Sequence, residues 1–144
     1  MSRSAVSCPN LFLSNAYFLF WDKGEGLYGR TFAECEFVWT SLQSSARIFK
    51  YPPFDKDRFH PTQKPVSLYA WIYKTFAKPG MKILDTHLGS GSSRIAAWDM
   101  GIDFVGTEID PEYFEKEEER FKKHISQPRL DTMILQQAEQ ESLF

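Results

Sequence analysis

Between Met81 and Glu108 the chain reads strand, glycine turn, helix, strand, and this stretch limits the folds open to it. Met81-Lys82-Ile83-Leu84-Asp85 forms a strand that runs into Gly89-Ser90-Gly91. Ser92 through Met100 follow as a helix that Gly101 stops, and Ile102 to Glu108 form a second strand. Two strands joined through a helix make a βαβ unit, with a parallel pair and a right-handed crossover. The fold class is therefore α/β. Asp110 is a good N-cap and Pro111 fits the first helical position of the next helix, which runs to about Ile125. That helix begins acidic at Glu112 and ends basic at Arg120, Lys122, Lys123 and His124, which suits its dipole.

Upstream of this unit, Leu68, Ile72 and Phe76 recur at four-residue spacing and predict an amphipathic helix over 66–77, ended by Pro79-Gly80. Residues 16–21, Ala-Tyr-Phe-Leu-Phe-Trp, suit a buried strand, and Asp22-Lys23-Gly24-Glu25-Gly26 suits a reversal. Residues 34–42 are β-favouring and complete an antiparallel hairpin with 16–21. A mixed sheet is expected. Residues 43–59 read as a loop carrying Arg47, Lys50, Lys56 and Arg58, and 127–144 as a loose tail. The run Glu115–Glu119 reads as a solvated helix face. Trp39, Trp71 and Trp98 read as packing residues.

A chain of 144 residues, 16% aromatic and 42% hydrophobic, has the material for one folded domain rather than a disordered segment. Seventeen Lys and Arg against nineteen Asp and Glu exclude a strongly basic chain, while a local basic face stays open. Cys8 and Cys35 lie far apart with no Cys/His cluster, so they read as reduced thiols rather than a zinc site. No apolar run reaches bilayer length and the N-terminus has no hydrophobic signal core, which reads as cytoplasmic.

The chemistry concentrates in Asp85-Thr86-His87-Leu88-Gly89-Ser90-Gly91-Ser92-Ser93. The strand delivers Asp85 to its carboxyl end, and Gly89 and Gly91 let backbone approach a ligand without Cβ collisions. Seventeen residues past Gly91, Glu108 ends the next strand, where an acid can take the two hydroxyls of a ribose. The dinucleotide fingerprint needs a third glycine where this chain has Arg94, and no Gly-Lys-Ser/Thr of a P-loop is present. A phosphate ligand therefore fits poorly. A nucleoside with cationic groups and no phosphate, such as S-adenosylmethionine, fits better; the plainer reading is a tight βα turn with a surface acid. A second signal is His60-Pro61-Thr62-Gln63-Lys64-Pro65, whose prolines stiffen an extended segment ahead of the first helix. There Lys64 or a backbone N–H can hold a carboxylate.

Together the two signals resemble the amino-methylating DNA methyltransferases, which form N6-methyladenine or N4-methylcytosine. In that family a His-Pro-Thr-Gln-Lys-Pro segment precedes a strand and an Asp-Pro-Phe-x-Gly-Ser-Gly-Thr loop. This chain carries the first at 60–65 and Asp-Thr-His-Leu-Gly-Ser-Gly-Ser at 85–92, departing at Thr86, His87 and Ser92. Glu108 and Tyr113 match the family's second-strand acid and following tyrosine, and Trp21-Asp22-Lys23-Gly24 resembles a strand end common in these enzymes. The resemblance covers roughly 16–126. It implies a Rossmann-like methyltransferase fold, here incomplete, and S-adenosylmethionine as cofactor. The implied organisation is a single truncated domain over 1–144. It has a hairpin at 16–42, a DNA-facing loop at 43–59 and a cofactor-binding half at 60–126. His60, Thr62, Gln63 and Lys64 would line the methionine end of the cofactor. Asp85, Gly89, Ser90, Gly91 and Ser92 would wrap its amino-acid moiety, Glu108 the ribose, and Ile109 the adenine. His87 would be loop packing or a cofactor neighbour. Arg47, Lys50, Lys56 and Arg58 would contact DNA phosphates.

The family's catalytic Asp/Asn/Ser-Pro-Pro-aromatic motif has no convincing counterpart. Tyr51-Pro52-Pro53-Phe54 has the aromatic end, but Tyr51 supplies no carboxylate or amide acceptor. The chain thus reads as the carboxyl-terminal part of such an enzyme, either truncated or closing the gap by pairing its first cofactor strand with the hairpin. The functional expectation is a site-specific DNA methyltransferase acting on a flipped base, with N6-adenine favoured over N4-cytosine and double-stranded DNA as partner. Two alternatives stand beside it: a degenerate cofactor-binding subunit needing a partner or a second copy, and a methyltransferase for a non-DNA substrate.

Overall fold

The computed structural model describes residues 17–42, 44–54 and 57–127. The elements in order are β1 (Tyr17–Asp22), β2 (Cys35–Thr40), β3 (Arg47–Lys50), α1 (Val66–Phe76), β4 (Lys82–Asp85), α2 (Ser92–Asp99), β5 (Asp103–Gly106) and α3 (Pro111–Ile125). A one-turn helix at Glu25–Leu27 lies in the β1–β2 connection.

β1 is the centre of a three-stranded sheet ordered β2-β1-β3. It pairs antiparallel with β2 from Tyr17↔Thr40 to Asp22↔Cys35, and parallel with β3 from Leu19↔Arg47 to Asp22↔Lys50. Its core, Tyr-Phe-Leu-Phe-Trp, is apolar at every position, as suits a strand with neighbours on both edges and both faces to cover. Leu19 and Trp21 are buried on one face, and the Trp21 indole N–H donates to the Tyr51 carbonyl at 2.7 Å. On the other face Phe18, Phe37, Trp39 and Ile48 are exposed, with Phe37 edge-on to both Phe18 and Phe20.

The loop expected over 43–59 therefore contains a strand. Ile48 and Phe49 form a short β-favouring core between two cations, too short to show a period, and β1 supplies the pairing partner that makes it a strand. An edge strand tolerates the flanking charges. Phe49 stacks on Tyr51 and packs against Trp71 of α1.

β4 and β5 form a second, parallel sheet, in register from Lys82↔Asp103 to Asp85↔Gly106. The expected mixture of parallel and antiparallel pairing is present, but within the hairpin sheet. Among the described residues β4 pairs with β5 and not with the hairpin, whose strand β1 has β2 and β3 on its two edges. α1 and α2 pack on one face of β4–β5. Tyr73, Ala96 and Ala97 form the buried centre, with Ile72, Ile83 and Phe104 around it. The two alanines of α2 let α1 approach closely. The opposite face leaves Leu84 and Val105 exposed. The Asp110 carboxylate caps α3, accepting from the Glu112 and Tyr113 amides at 2.9 and 3.3 Å. Among the described residues no helix is long and apolar enough to cross a membrane.

Candidate functional site

The carboxyl ends of β4 and β5 hold the turn between Asp85 and Ser92. Backbone bonds knit it to the exit of β5: Leu88 N–H donates to the Thr107 carbonyl and Thr107 N–H to the Asp85 carbonyl, both at 2.9 Å. Leu88 through Ser93 are buried. The Asp85 carboxylate accepts from the His87 amide at 3.0 Å and from the Ser93 hydroxyl, so it braces both ends of the turn.

Three separated pieces of sequence meet at Gly89. Its amide N–H donates to Glu108 Oε2 at 2.7 Å. A Cβ at Gly89 would stand 3.4 Å from the His60 ring, which packs edge-on against Tyr113 at 4.4 Å between centroids. Glu108 Oε1 accepts from the Ile109 and Asp110 amides at 2.9 and 3.1 Å. Partial burial works to raise the Glu108 carboxyl, but these three N–H groups and His60 outweigh it and hold it below its ordinary value. Burial pushes the His60 imidazole down, against the pull of Glu108. The Thr62 N–H and hydroxyl lie 3.3 and 3.2 Å from His60 Nδ1. Ile109 stands 97% exposed beside Glu108, a bare apolar side chain next to an ionised carboxylate.

Further along the 60–65 segment, Gln63 and Lys64 turn inward. Gln63 is buried and its Oε1 accepts from the Phe59 amide at 3.3 Å. Lys64 pairs with Glu36 of β2 at 3.2 Å, and Lys23 reaches the same carboxylate at 2.9 Å, tying the segment to the hairpin sheet. Thr62 is exposed. His87 is exposed and bonded to the Thr86 hydroxyl. Ser90 and Ser92 are buried; their hydroxyls lie 3.2 Å apart, and Arg120 of α3 donates to that of Ser92.

The three described cations, Arg47, Lys50 and Arg58, meet different surroundings. Arg47 and Lys50 are exposed at opposite ends of β3, and Lys50 pairs with Glu25 at 3.1 Å. Arg58 donates to the carbonyls of His60 and Pro61. Lys56 lies outside the described residues, as does Cys8. In the Tyr51–Phe54 stretch the Tyr51 amide bonds the Asp22 carbonyl and Phe54 is 72% exposed, so the stretch closes the end of β3.

Reading Glu115–Glu119 as a solvated face fails at Glu117, which is completely buried. Arg94 Nη1 donates to its two oxygens at 3.2 and 3.0 Å, and Arg94 also pairs with Glu118. Burial raises the Glu117 carboxyl and Arg94 opposes the rise. Arg120 donates to the Ser90 carbonyl at 2.7 Å and the Ser92 hydroxyl at 2.8 Å. The signal was in the spacing: Tyr113, Glu117 and Phe121 lie four apart, so Glu117 occupies an apolar stripe. A cavity of about 580 Å³ lies at the opposite end of the strands, lined by Tyr73, Lys74, Lys78, Met81, Met100 and Asp103, away from this convergence.

A family model described as DNA methylase, of the N6/N4 methyltransferase type, matches residues 23–119. The chain belongs to the N6/N4 DNA methylase family. It is 30% identical over 98 residues to the type II methyltransferase M.BglI of Bacillus subtilis, covering 68% of this chain and 28% of that protein. It is 33% identical over 67 residues to YubD of Escherichia coli strain K12, covering 46% of this chain and 30% of that protein. The chain thus spans less than a third of the length of these curated relatives. Among solved structures it is similar to the M1.HpyAVI–SAM complex, with a TM-score of 0.57 and 25% identity, over 72% of this chain and 60% of that one. The architecture is accordingly an incomplete Rossmann-like methyltransferase fold.

Proposed function

We propose that this chain carries the S-adenosylmethionine-holding part of a DNA amino-methyltransferase. The observation that carries the reading is the meeting of His60, Gly89 and Glu108 at one point, at the carboxyl ends of parallel strands where α/β folds take their ligands. The groups around that point suit a phosphate-free nucleoside. Glu108 offers an ionised carboxylate to ribose hydroxyls, and Ile109 offers an apolar surface to a base. The nearest lysine of the segment, Lys64, is paired with Glu36 rather than presented to a phosphate. The resemblance of 60–65 and 85–92 to the family's cofactor motifs, and the SAM complex of M1.HpyAVI, support the same reading.

The cofactor supplies an electrophilic methyl group when bound. His60, Thr62, Gln63 and Lys64 shape its methionine side; Asp85, Gly89, Ser90, Gly91 and Ser92 form the turn beneath it. Ser90 and Ser92 act through that turn, since both are buried with their hydroxyls toward each other and that of Ser92 is held by Arg120 of α3. The methyl acceptor is an exocyclic amine of a base in double-stranded DNA, with N6-adenine favoured over N4-cytosine, reached by flipping. Arg47 and Lys50 are exposed cations for phosphate contact, and Lys56, outside the described residues, is a further candidate. Arg58 instead shapes the 60–61 backbone. These 144 residues hold no Asp/Asn/Ser-Pro-Pro-aromatic motif, so transfer needs that motif from elsewhere in the protein or from a partner subunit.

Calorimetry with S-adenosylmethionine tests the cofactor assignment. The chain should bind it and not ATP or NAD. Glu108→Ala should weaken binding about tenfold or more, the loss expected for a charged hydrogen-bonding partner. Binding unaffected by Glu108→Ala would refute the assignment. Incubating the chain with labelled cofactor and duplex DNA should give no transfer.

A further inference from the structure

The two glycines of the turn face different neighbours. At Gly89 the missing Cβ faces His60; at Gly91, with φ of 71°, it would stand 2.3 Å from Glu117 Cγ and 2.4 Å from its Oε1. Gly91 is therefore demanded both by its left-handed backbone and by a side chain of α3. Glu117 is held there by Arg94, whose guanidinium lies 3.9 Å from the centre of the Phe121 ring. Three residues along α3, Arg120 bonds the Ser90 carbonyl and the Ser92 hydroxyl, and both serines are buried.

We propose that Glu117 and Arg120 are positioning residues: α3 moulds the Gly89–Ser92 turn from its rear, and so sets the surface the turn offers to the cofactor. The proposal rests on reading that turn as the cofactor's seat. Glu117 fills the space that a Cβ at position 91 would take, which fixes how closely the turn approaches α3. Arg120 satisfies a carbonyl that the turn itself leaves without a partner on that side, and grips the first residue of α2 as well. Arg94 neutralises the buried Glu117 carboxylate and ties α2 to α3, so the three charged groups act as one unit.

The test uses the full chain with Arg120→Met, Arg120→Lys and Glu117→Gln. It reads amide hydrogen exchange across 88–93, calorimetry with S-adenosylmethionine, and helix content by circular dichroism. Arg120→Met should speed exchange at 89–92 about tenfold or more while α1 keeps its protection, and should weaken cofactor binding by a similar factor. Arg120→Lys retains a donor and should recover part of both losses. Glu117→Gln should raise exchange at Gly91 and Ser92, with a smaller effect on binding. Exchange over 89–92 unchanged in Arg120→Met would overturn the proposal. Should that variant unfold, unchanged exchange in both Arg120→Lys and Glu117→Gln would overturn it equally. Exchange is measured on the free chain, so a wild type that gives no heat with S-adenosylmethionine would sink the cofactor reading and leave the moulding of the turn to be judged by its own data.

Discussion

The glycine turn and the hairpin sheet solve opposite problems. In the turn Leu88 to Ser93 are buried and the polar groups are bonded: Asp85 braces it, Glu108 takes the Gly89 amide, and Arg120 takes the Ser90 carbonyl. In the hairpin sheet one face is finished by Leu19 and Trp21, while the other presents Phe18, Phe37, Trp39 and Ile48 to solvent. The turn is specified by hydrogen bonds and tolerates little change, whereas the bare sheet face is specified by apolar surface whose burial is not realised within these residues.

The contrast is sharpest at paired substitutions. On the finished face Leu19→Ala should cost about 2–5 kcal/mol in chemical denaturation, because a buried side chain leaves a cavity. Across the same sheet Phe37→Ser should change stability by about 0.5 kcal/mol or less, since the 69% exposed ring loses little packing. Equal costs for the two would mean that both faces are covered in solution. In the turn, Gly91→Ala should cost about 2–4 kcal/mol, the sum of left-handed backbone strain and overpacking on Glu117. Gly80→Ala has a similar φ of 80° but open space around it, and should show the backbone part alone, about 1–2 kcal/mol. The difference between the two measures the contact with α3.

A smaller effect concerns acid. Burial holds the folded His60 below its ordinary value of 6.5, so the unfolded chain binds its proton first. The contribution to stability is complete above 6.5 and is lost as the pH falls through the lower folded value. His60→Gln should therefore flatten the acid side of the Tm-against-pH curve just below 6.5. A curve with unchanged slope in the variant would show that the ring protonates freely in the folded protein.

The βαβ unit was legible because glycine, proline and Asp110 punctuate it, and each boundary falls within a residue or two of the expected place. β3 was not legible, because four residues with charges at both ends carry no period and become a strand only beside β1. The convergence on Gly89 was readable as a set of residues but not as a geometry. Sequence pointed to His60, Gly89 and Glu108, while the inward turn of Ser90, Ser92 and Lys64 depends on partners in α3 and β2 that lie far along the chain. Glu117 shows the cost of judging charge by type: a glutamate in a run of acids reads as solvated, and only its place in the Tyr113–Phe121 stripe argues otherwise.

Arg58 turns its guanidinium back onto the carbonyls of His60 and Pro61. Replacing it by alanine would weaken any binding that depends on that bend, whether or not a nucleic acid ever touches the side chain. A scan that strips positive charges one at a time would then score position 58 as an electrostatic contact, although what had been removed was a brace. Salt titration separates the two: a lost phosphate contact lowers the dependence of binding on ionic strength, and a lost brace weakens binding equally at every salt concentration.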